Sequence, residues 1–177
     1  MATYAALFGA LNVGGNRLKM ADLCKAVSAC GFSNVRSVMA SGNVVFEVNE
    51  DDIDVLQKRL TACVRETFGF DSFAVVRDRD ALKSEMDGNP FRAGGESKFV
   101  LTHMLVAPPP KGALENLVAA NSGSERIAGK GRSVYIDFVD GVGSSKLARP
   151  LLRRHLGVEG TARSMSSIAK ILAKMED

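Results

Sequence analysis

The sequence predicts an α+β protein in which strands and helices alternate. Three observations support this fold class. Apolar residues make up 46% and charged residues 24% of the 177 residues, as in an ordinary globular protein. Segments with strand-like and helix-like apolar spacing follow one another along the chain. A stretch rich in Gly and Pro at 88–95 divides it, so we expect one subdomain over residues 1–90 and a second, smaller α+β subdomain over residues 91–177.

The first half contains, in order, a strand, a helix, two strands, a helix and a strand. Apolar residues occupy both faces of the first strand and predict that both faces are covered. Gly31 is expected to end the first helix, and Ala40-Ser41-Gly42-Asn43 suits the positive φ angles of a tight hairpin turn. The predicted elements are strands at 3–13, 34–39, 44–48 and 72–77, and helices at 20–30, 52–67 and 79–86.

This βαββαβ order predicts a ferredoxin-like sheet. A right-handed crossover makes the first two strands parallel, with the third strand between them. Parallel strands deliver the connections that follow them to the same edge of the sheet. We therefore expect the loop Asn12–Lys19 and the turn Ser41–Asn43 to lie close together.

The second half begins with a predicted strand at 98–107, which three consecutive prolines end. No internal repeat is evident in the sequence, and the two halves are expected to share an interface. The remaining predicted elements are a helix at 113–121, a hairpin of strands at 125–128 and 133–139, and two closing helices at 146–156 and 164–175.

Basic residues are concentrated in the last third of the chain. Residues 126–174 contain 10 Lys and Arg against 3 Asp and Glu, whereas residues 1–125 contain 13 against 15. This asymmetry suits an anionic partner, although a solvated basic face is the commoner explanation. No run approaches the ~18 apolar residues that cross a bilayer, and the N-terminus lacks the pattern of a signal peptide. We therefore expect a cytoplasmic protein without a membrane partner.

The cysteine pattern predicts neither a metal site nor a disulfide framework. Cys24, Cys30 and Cys63 all fall in predicted helices, and no C-x-x-C spacing is present. We expect three reduced core thiols, no metal and no cofactor.

Motifs spread along the chain carry a family resemblance. They are Ala6–Asn16, Lys19–Leu23, Gly31-Phe32, Val35-Arg36, Ser41–Phe46, Asn89–Phe91, Val134–Phe138, Ser145–Leu147 and Thr161–Arg163. Together they resemble the bacterial family known as domain of unknown function 1697 over nearly the whole chain. The resemblance implies two packed α+β subdomains, the first of them ferredoxin-like, and it implies no established activity.

The sequence departs from the family's pattern in two places. Gly9 stands where the family commonly has Arg, and Ser164-Met165-Ser166 stands where it has Asn-Trp-Asn. If those family residues serve a site, the resemblance implies that its function is altered or lost here.

The loop Asn12–Lys19 is the leading candidate for a binding site. Its glycines let backbone N–H groups approach an anion, and Arg17 and Lys19 add positive potential before a helix N-terminus. The same residues also suit two ordinary tight turns without a ligand. The predicted set for a phosphate- or carboxylate-bearing ligand is Asn12, Gly14, Gly15, Asn16, Arg17, Lys19, Ser41, Gly42 and Asn43.

A second possible anion site comprises Ser145, Lys146 and Arg163. The segment Asp140–Lys146 follows a strand and opens a predicted helix, but it lacks the spacing of a phosphate-binding P-loop, which excludes a triphosphatase of that type. Helix capping by Ser144 or Ser145, and by Ser164, is the simpler explanation.

No catalytic residue can be named from the sequence, and whether the protein is an enzyme stays open. His103 interrupts the apolar face of a strand, which favours a hydrogen-bonded core or interface histidine over a catalytic base. His155 lies near a helix C-terminus, where a cation is favourable anyway.

Two other functions are compatible with the sequence, which specifies no oligomeric state. One is a scaffold for a protein contact. The other is a nucleic-acid binder that contacts phosphates without reading sequence, since the aromatic pattern of RNA-recognition domains is not matched. The residues available to it are Arg126, Lys130, Arg132, Lys146, Arg149, Arg153, Arg154 and Arg163.

Overall fold

Two four-stranded antiparallel sheets organise the protein, whose computed structural model describes residues 1–12, 14–15 and 17–177. The first sheet has the strand order β2-β3-β1-β4. Its strands are β1 (Ala2–Gly9), β2 (Ser33–Val38), β3 (Asn43–Val48) and β4 (Phe73–Asp78). Its helices are α1 (Met20–Ala29) and α2 (Ile53–Phe68), and α3 (Arg79–Asp87) follows β4.

The ferredoxin-like prediction for the first sheet is confirmed. Strand β3 pairs antiparallel with both β1 and β2, so β1 and β2 run parallel to each other with β3 between them. Strand β4 pairs antiparallel with β1 at the other edge. The observed bounds of these strands and helices agree with the predicted ones to within a few residues, apart from the end of β1.

Both faces of the first sheet are buried, as the apolar strand β1 predicts. Leu23 of α1 and Leu56 of α2 pack in one core with Phe46 and the other inward residues of the sheet. On the opposite face, Leu7 and Val45 are also 0% exposed. This double burial explains why β1 and β3 read as nearly continuous apolar runs.

The second sheet has the strand order β6-β7-β5-β8, and all its pairings are antiparallel. Its core joins Leu105 and Ile136 on the strands to Leu117 and Leu156 on the helices. Its strands are β5 (Val100–Leu105), β6 (Arg126–Lys130), β7 (Ser133–Asp137) and β8 (Gly160–Ser164), and its helices are α4 (Ala113–Ala120) and α5 (Arg149–Leu156), with α6 (Met165–Met175) after β8.

The second half therefore repeats the βαββαβ order and the strand order of the first, which the sequence did not reveal. Strand β8 is the element that sequence analysis missed. Its five residues, GTARS, have no alternating apolar residues and only one β-branched residue, Thr161, and they form a strand because they pair with β5 from Leu101 to Leu105. Tertiary pairing here overrides weak local propensity.

The chain divides into two compact units that differ from the predicted division at residue 90. The first unit comprises Met1–Leu82 and Lys170–Asp177, and the second comprises Lys83–Ala169. Within the first unit, the guanidinium of Arg36 donates to Lys174 O at 3.3 Å, and Arg79 pairs with Glu176. These long-range contacts attach the C-terminal residues to a sheet that ends far earlier in the sequence.

The expectation of three reduced thiols is wrong for two of the cysteines. A disulfide joins Cys30, at the end of α1, to Cys63 within α2, with Cα atoms 6.2 Å apart. Cys24 is the free thiol of the described chain and is half-buried. The bonded cysteines have a sequence separation of 33, which gives no signal in the sequence, because their proximity arises from the packing of α1 beside α2.

Candidate functional site

The predicted loop and turn lie at one edge of the first sheet. The backbone N–H of Phe8 donates a 2.8 Å hydrogen bond to Gly42 O, and Leu7 pairs directly with Asn43. A Cβ added at Gly42 would lie 3.0 Å from Leu11 Cδ1 and 3.3 Å from Phe8 O. The parallel course of β1 and β2 thus brings the turn into contact with the end of β1 and with Leu11, the residue just before the loop.

Strand β1 ends at Gly9 rather than at residue 13, where it was expected to end. Ala10 has a φ of 58°, in the left-handed region that a strand does not use, and this turns the chain out of the ladder. Leu11 nevertheless stays buried. Of the predicted residues that follow, Val13 and Asn16 lie outside the described residues.

The glycines of the loop leave their backbone open to solvent. Gly14 and Gly15 have φ angles of 66° and 89° and are exposed, and a Cβ added at either would have no atom within 4 Å in the described structure. The side chain of Asn12 closes the loop by accepting a 2.9 Å hydrogen bond from Leu18 N. An exposed amide group, two accessible peptide units and a helix start are therefore grouped within one short segment.

Positive charge accompanies this open backbone. Arg17 and Lys19 are exposed, and neither forms an ion pair within the described part of the chain. Helix α1 begins after Lys19 without a side-chain cap, while Asp22 is the acidic residue of its first turn. In contrast, the side chain of Asp52 caps α2 by accepting from two backbone N–H groups.

The side-chain amide of Asn43 forms hydrogen bonds within its own turn. It is 1% exposed, and its amide nitrogen donates to Val38 O at 3.2 Å and to Ser41 Oγ at 2.9 Å. These contacts stabilise the β2–β3 turn from within. Of the predicted set, Asn12, Gly14, Gly15, Arg17, Lys19 and Ser41 are exposed.

Two members of the second predicted anion site, Ser145 and Arg163, have separate partners. The hydroxyl of Ser145 donates to the Glu125 carboxylate and accepts from Leu147 N at 3.0 Å. Arg163, on β8, is 8% exposed and donates to Thr161 Oγ1 at 2.6 Å. Burial lowers the pKa of the Arg163 guanidinium to about 10, so it stays charged at neutral pH.

One of the two predicted helix caps is confirmed. Ser164 Oγ accepts from Ser167 N at 3.2 Å in the first turn of α6. The prediction for Ser144 or Ser145 is wrong, because α5 begins at Arg149 with Ala148 as its cap residue. The helix starts later than expected because Pro150 occupies its first turn, a position that proline favours.

A cleft of about 350 Å³ lies in the second unit, between the segment before β6 and the segment after β7. Of these two segments, the sequence pointed only to Asp140–Lys146, and it predicted no role for the carboxylates of Glu125 and Asp140. The polar residues that line it are Ser122, Ser124, Glu125, Asp140, Ser144 and Lys146.

His103 is a core residue of the second sheet. It is 3% exposed, and its Nδ1 has no hydrogen-bond partner within the described structure, in contrast to the predicted hydrogen-bonded histidine. Burial, with a smaller contribution from the positive charge of Arg149, lowers its pKa to about 4. The imidazole is therefore neutral at pH 7 and enclosed by protein, which does not suit an accessible general base.

The described residues contain no group of three or more His, Cys, Asp or Glu side chains placed to hold a metal ion. Across the same residues, every helix is too short or too polar to cross a bilayer.

The fold as a whole is similar to that of a conserved bacterial protein, SP0830, from Streptococcus pneumoniae. The two chains share 17% sequence identity with a TM-score of 0.77, over 100% of this chain and 99% of the other. At this level of identity the similarity shows a common fold. A search of curated proteins finds no match to the chain.

Sequence comparison with family models gives a more specific relationship. A model described as protein of unknown function (DUF1697) matches residues 1–135. The matched segment contains the whole first sheet and continues through α4 and β6 into β7. Since it covers more than half of the sequence, the chain belongs to the DUF1697 family of proteins of unknown function.

Proposed function

We propose that the protein binds a small phosphate- or carboxylate-bearing molecule at the loop Asn12–Lys19. The observation that carries the proposal is a combination of two features of the loop. Two exposed left-handed glycines have open space beside them, and two exposed cations, which form no ion pair with the described residues, precede a helix without a side-chain cap among those residues. Backbone N–H groups and a helix N-terminus favour negative charge, and cations at the same place add to that potential.

Some of the predicted residues would contact the ligand, and others would support the loop. The backbones of Gly14 and Gly15 supply hydrogen-bond donors, and Arg17 and Lys19 supply charge. The turn residues Ser41, Gly42 and Asn43 support the loop, because their hydrogen bonds hold the end of β1 in place.

The proposal is tested by thermal unfolding with inorganic phosphate, nucleotides and dicarboxylates at constant ionic strength. A ligand at about 100 times its Kd stabilises the native state by about 2.7 kcal/mol, which raises the Tm by several degrees in a protein of this size. We expect Arg17→Ala and Lys19→Ala each to weaken binding by about tenfold. Asn43→Ala should lower both the Tm and the affinity.

Lys58→Ala is the matched control, because Lys58 is an exposed lysine on α2, away from the loop in sequence. It should leave the anion-dependent shift unchanged. The proposal fails if none of these anions raises the Tm of the parent protein, or if Lys58→Ala reduces the shift as much as Arg17→Ala does.

A nucleic-acid interface on the basic last third has weaker support, because part of that charge is already paired. Arg126 forms an ion pair with Asp137, and Arg149 and Arg153 both pair with Glu159. Phosphate contacts made by the remaining cations would be strongly dependent on salt. Tight oligonucleotide binding at physiological salt would reverse this ranking.

A further inference from the structure

The cleft in the second unit is formed by two segments that the sheet brings to one edge. Arg126 begins β6 directly opposite Asp137, the last residue of β7, and the two side chains form an ion pair. The segment 121–125 before β6 and the segment 138–146 after β7 must therefore lie side by side. This arrangement is independent of the loop Asn12–Lys19, which belongs to the other unit.

Hydrogen bonds fix the first of these segments. The amide of Asn121 donates to Glu125 O at 3.0 Å, and its Oδ1 accepts from Gly123 N at 3.3 Å. The carboxylate of Glu125 lies against the Gly123 backbone, where an added Cβ would be 2.1 Å from Oε2. Glycine at 123 is thus what allows the Glu125 carboxylate to occupy this position.

The cleft holds negative charge with unused hydrogen-bonding capacity. Glu125 Oε1 accepts from the Ser145 hydroxyl, but Oε2 is buried and has no partner among the described residues. An unpaired buried carboxylate oxygen is costly unless a donor reaches it. Asp140 adds a second carboxylate, which accepts a hydrogen bond from the Ser124 hydroxyl.

Positive charge lines the same cleft without neutralising these groups. Lys146 is exposed, and no carboxylate oxygen of the described residues lies within ion-pair distance of its Nζ. The cleft therefore presents two carboxylates and a separate ammonium group, together with the hydroxyls of Ser122 and Ser144.

We propose that this cleft binds a small zwitterion of the α-amino-acid class. The ligand ammonium donates to Asp140 and is attracted by the charge of the neighbouring Glu125 carboxylate, and the ligand carboxylate pairs with Lys146 and accepts from the neighbouring hydroxyls. A simple amine leaves Lys146 unpaired, a simple carboxylate is repelled by Glu125 and Asp140, and a neutral polyol compensates neither charge. The volume of about 350 Å³ lies at the small end of the range of ~300–1,000 Å³ for small-molecule sites.

Calorimetric titration of the full chain with glycine, L-alanine and L-serine tests this proposal, with ethylamine, propionate and glycerol as single-feature probes. We expect saturable binding of at least one amino acid and an affinity at least tenfold lower for each of the other three probes. Lys146→Met and Asp140→Asn should each weaken amino-acid binding by about tenfold or more. Glu125→Gln should do the same while keeping an acceptor for Ser145.

The matched controls are Lys130→Met and Glu115→Gln, which remove exposed charges outside the cleft. Both should bind as the parent does, and thermal unfolding identifies any variant that has lost its fold. Absence of saturable amino-acid binding, equal affinity for ethylamine, propionate or glycerol, or unchanged affinity in folded Lys146→Met and Asp140→Asn would each overturn the proposal. Arg17→Ala should leave amino-acid binding intact. The test of this cleft can therefore be distinguished from the test of the proposed anion site.

Discussion

At the scale of single residues, Gly9 and Phe73 form a matched pair. They are direct cross-strand partners on β1 and β4, and a Cβ added at Gly9 would lie 2.1 to 2.7 Å from three atoms of the Phe73 ring. The ring of Phe73 occupies the space beside Gly9, so a larger side chain at position 9 would require Phe73 to move.

Gly9→Ala is expected to destabilise the protein by about 1–3 kcal/mol, the usual cost of overpacking a filled interior site. In the Phe73→Leu background the same change should cost less, because the ring that clashes is gone. Urea unfolding of the two single variants and the double variant measures this coupling. If the losses of unfolding free energy in the two single variants add up to the loss in the double variant, the steric explanation is wrong.

The buried His103 predicts a pH dependence of stability. The unfolded histidine binds a proton near pH 6.5, whereas the folded one does so only near its pKa of about 4. Between these values the unfolded state binds more protons, so the free energy of unfolding falls as the pH is lowered from 6.5 towards 4. The slope due to this residue is roughly 1.4 kcal/mol per pH unit.

Denaturant unfolding of the parent and of His103→Leu at pH 7.5, 6 and 5 checks this expectation. The variant should lose that part of the slope, while His155→Gln, which changes the other histidine of the chain, should keep it. A parent-like slope in His103→Leu would show that other groups cause the pH dependence.

At the scale of elements, the Cys30–Cys63 disulfide ties the end of α1 to α2. A cross-link across 33 residues restricts the unfolded chain and stabilises the fold by about 2–4 kcal/mol. Cys30→Ser, or reduction of the parent, should lower the free energy of unfolding by that amount. Cys24→Ser is the control and should change it little.

Alkylation of the denatured protein followed by mass measurement tests the disulfide itself. One thiol should react before reduction and three afterwards. Three reactive thiols in protein purified without reductant would show that the pair is not bonded.

At the scale of the whole molecule, the chain contains the same topology twice. In both units a βαββαβ segment forms a sheet with its first and third strands at the centre. The connections after the first strands differ in character, with the glycine-rich Asn12–Lys19 in one unit and three consecutive prolines in the other. The two units therefore share their strand order and their pattern of buried positions, and very different residues can fill those positions.

The sequence by itself determined the first sheet and the place of the candidate anion site. Apolar spacing marked its strands and helices, and the handedness of the crossover then placed the start of the loop Asn12–Lys19 and the turn Ser41–Asn43 at the same edge of the sheet. It also pointed to the exposed cations Arg17 and Lys19, because charge and turn chemistry are local properties of the chain.

Only the tertiary structure decided β8, the disulfide and the cleft. Strand β8 exists through its pairing with β5, and the cysteines meet because α1 packs beside α2. The charges of the cleft come from segments on either side of the β6–β7 hairpin, and neither segment has a recognisable motif. Each of these features depends on contacts between residues distant in sequence, which local periodicity and propensity do not encode.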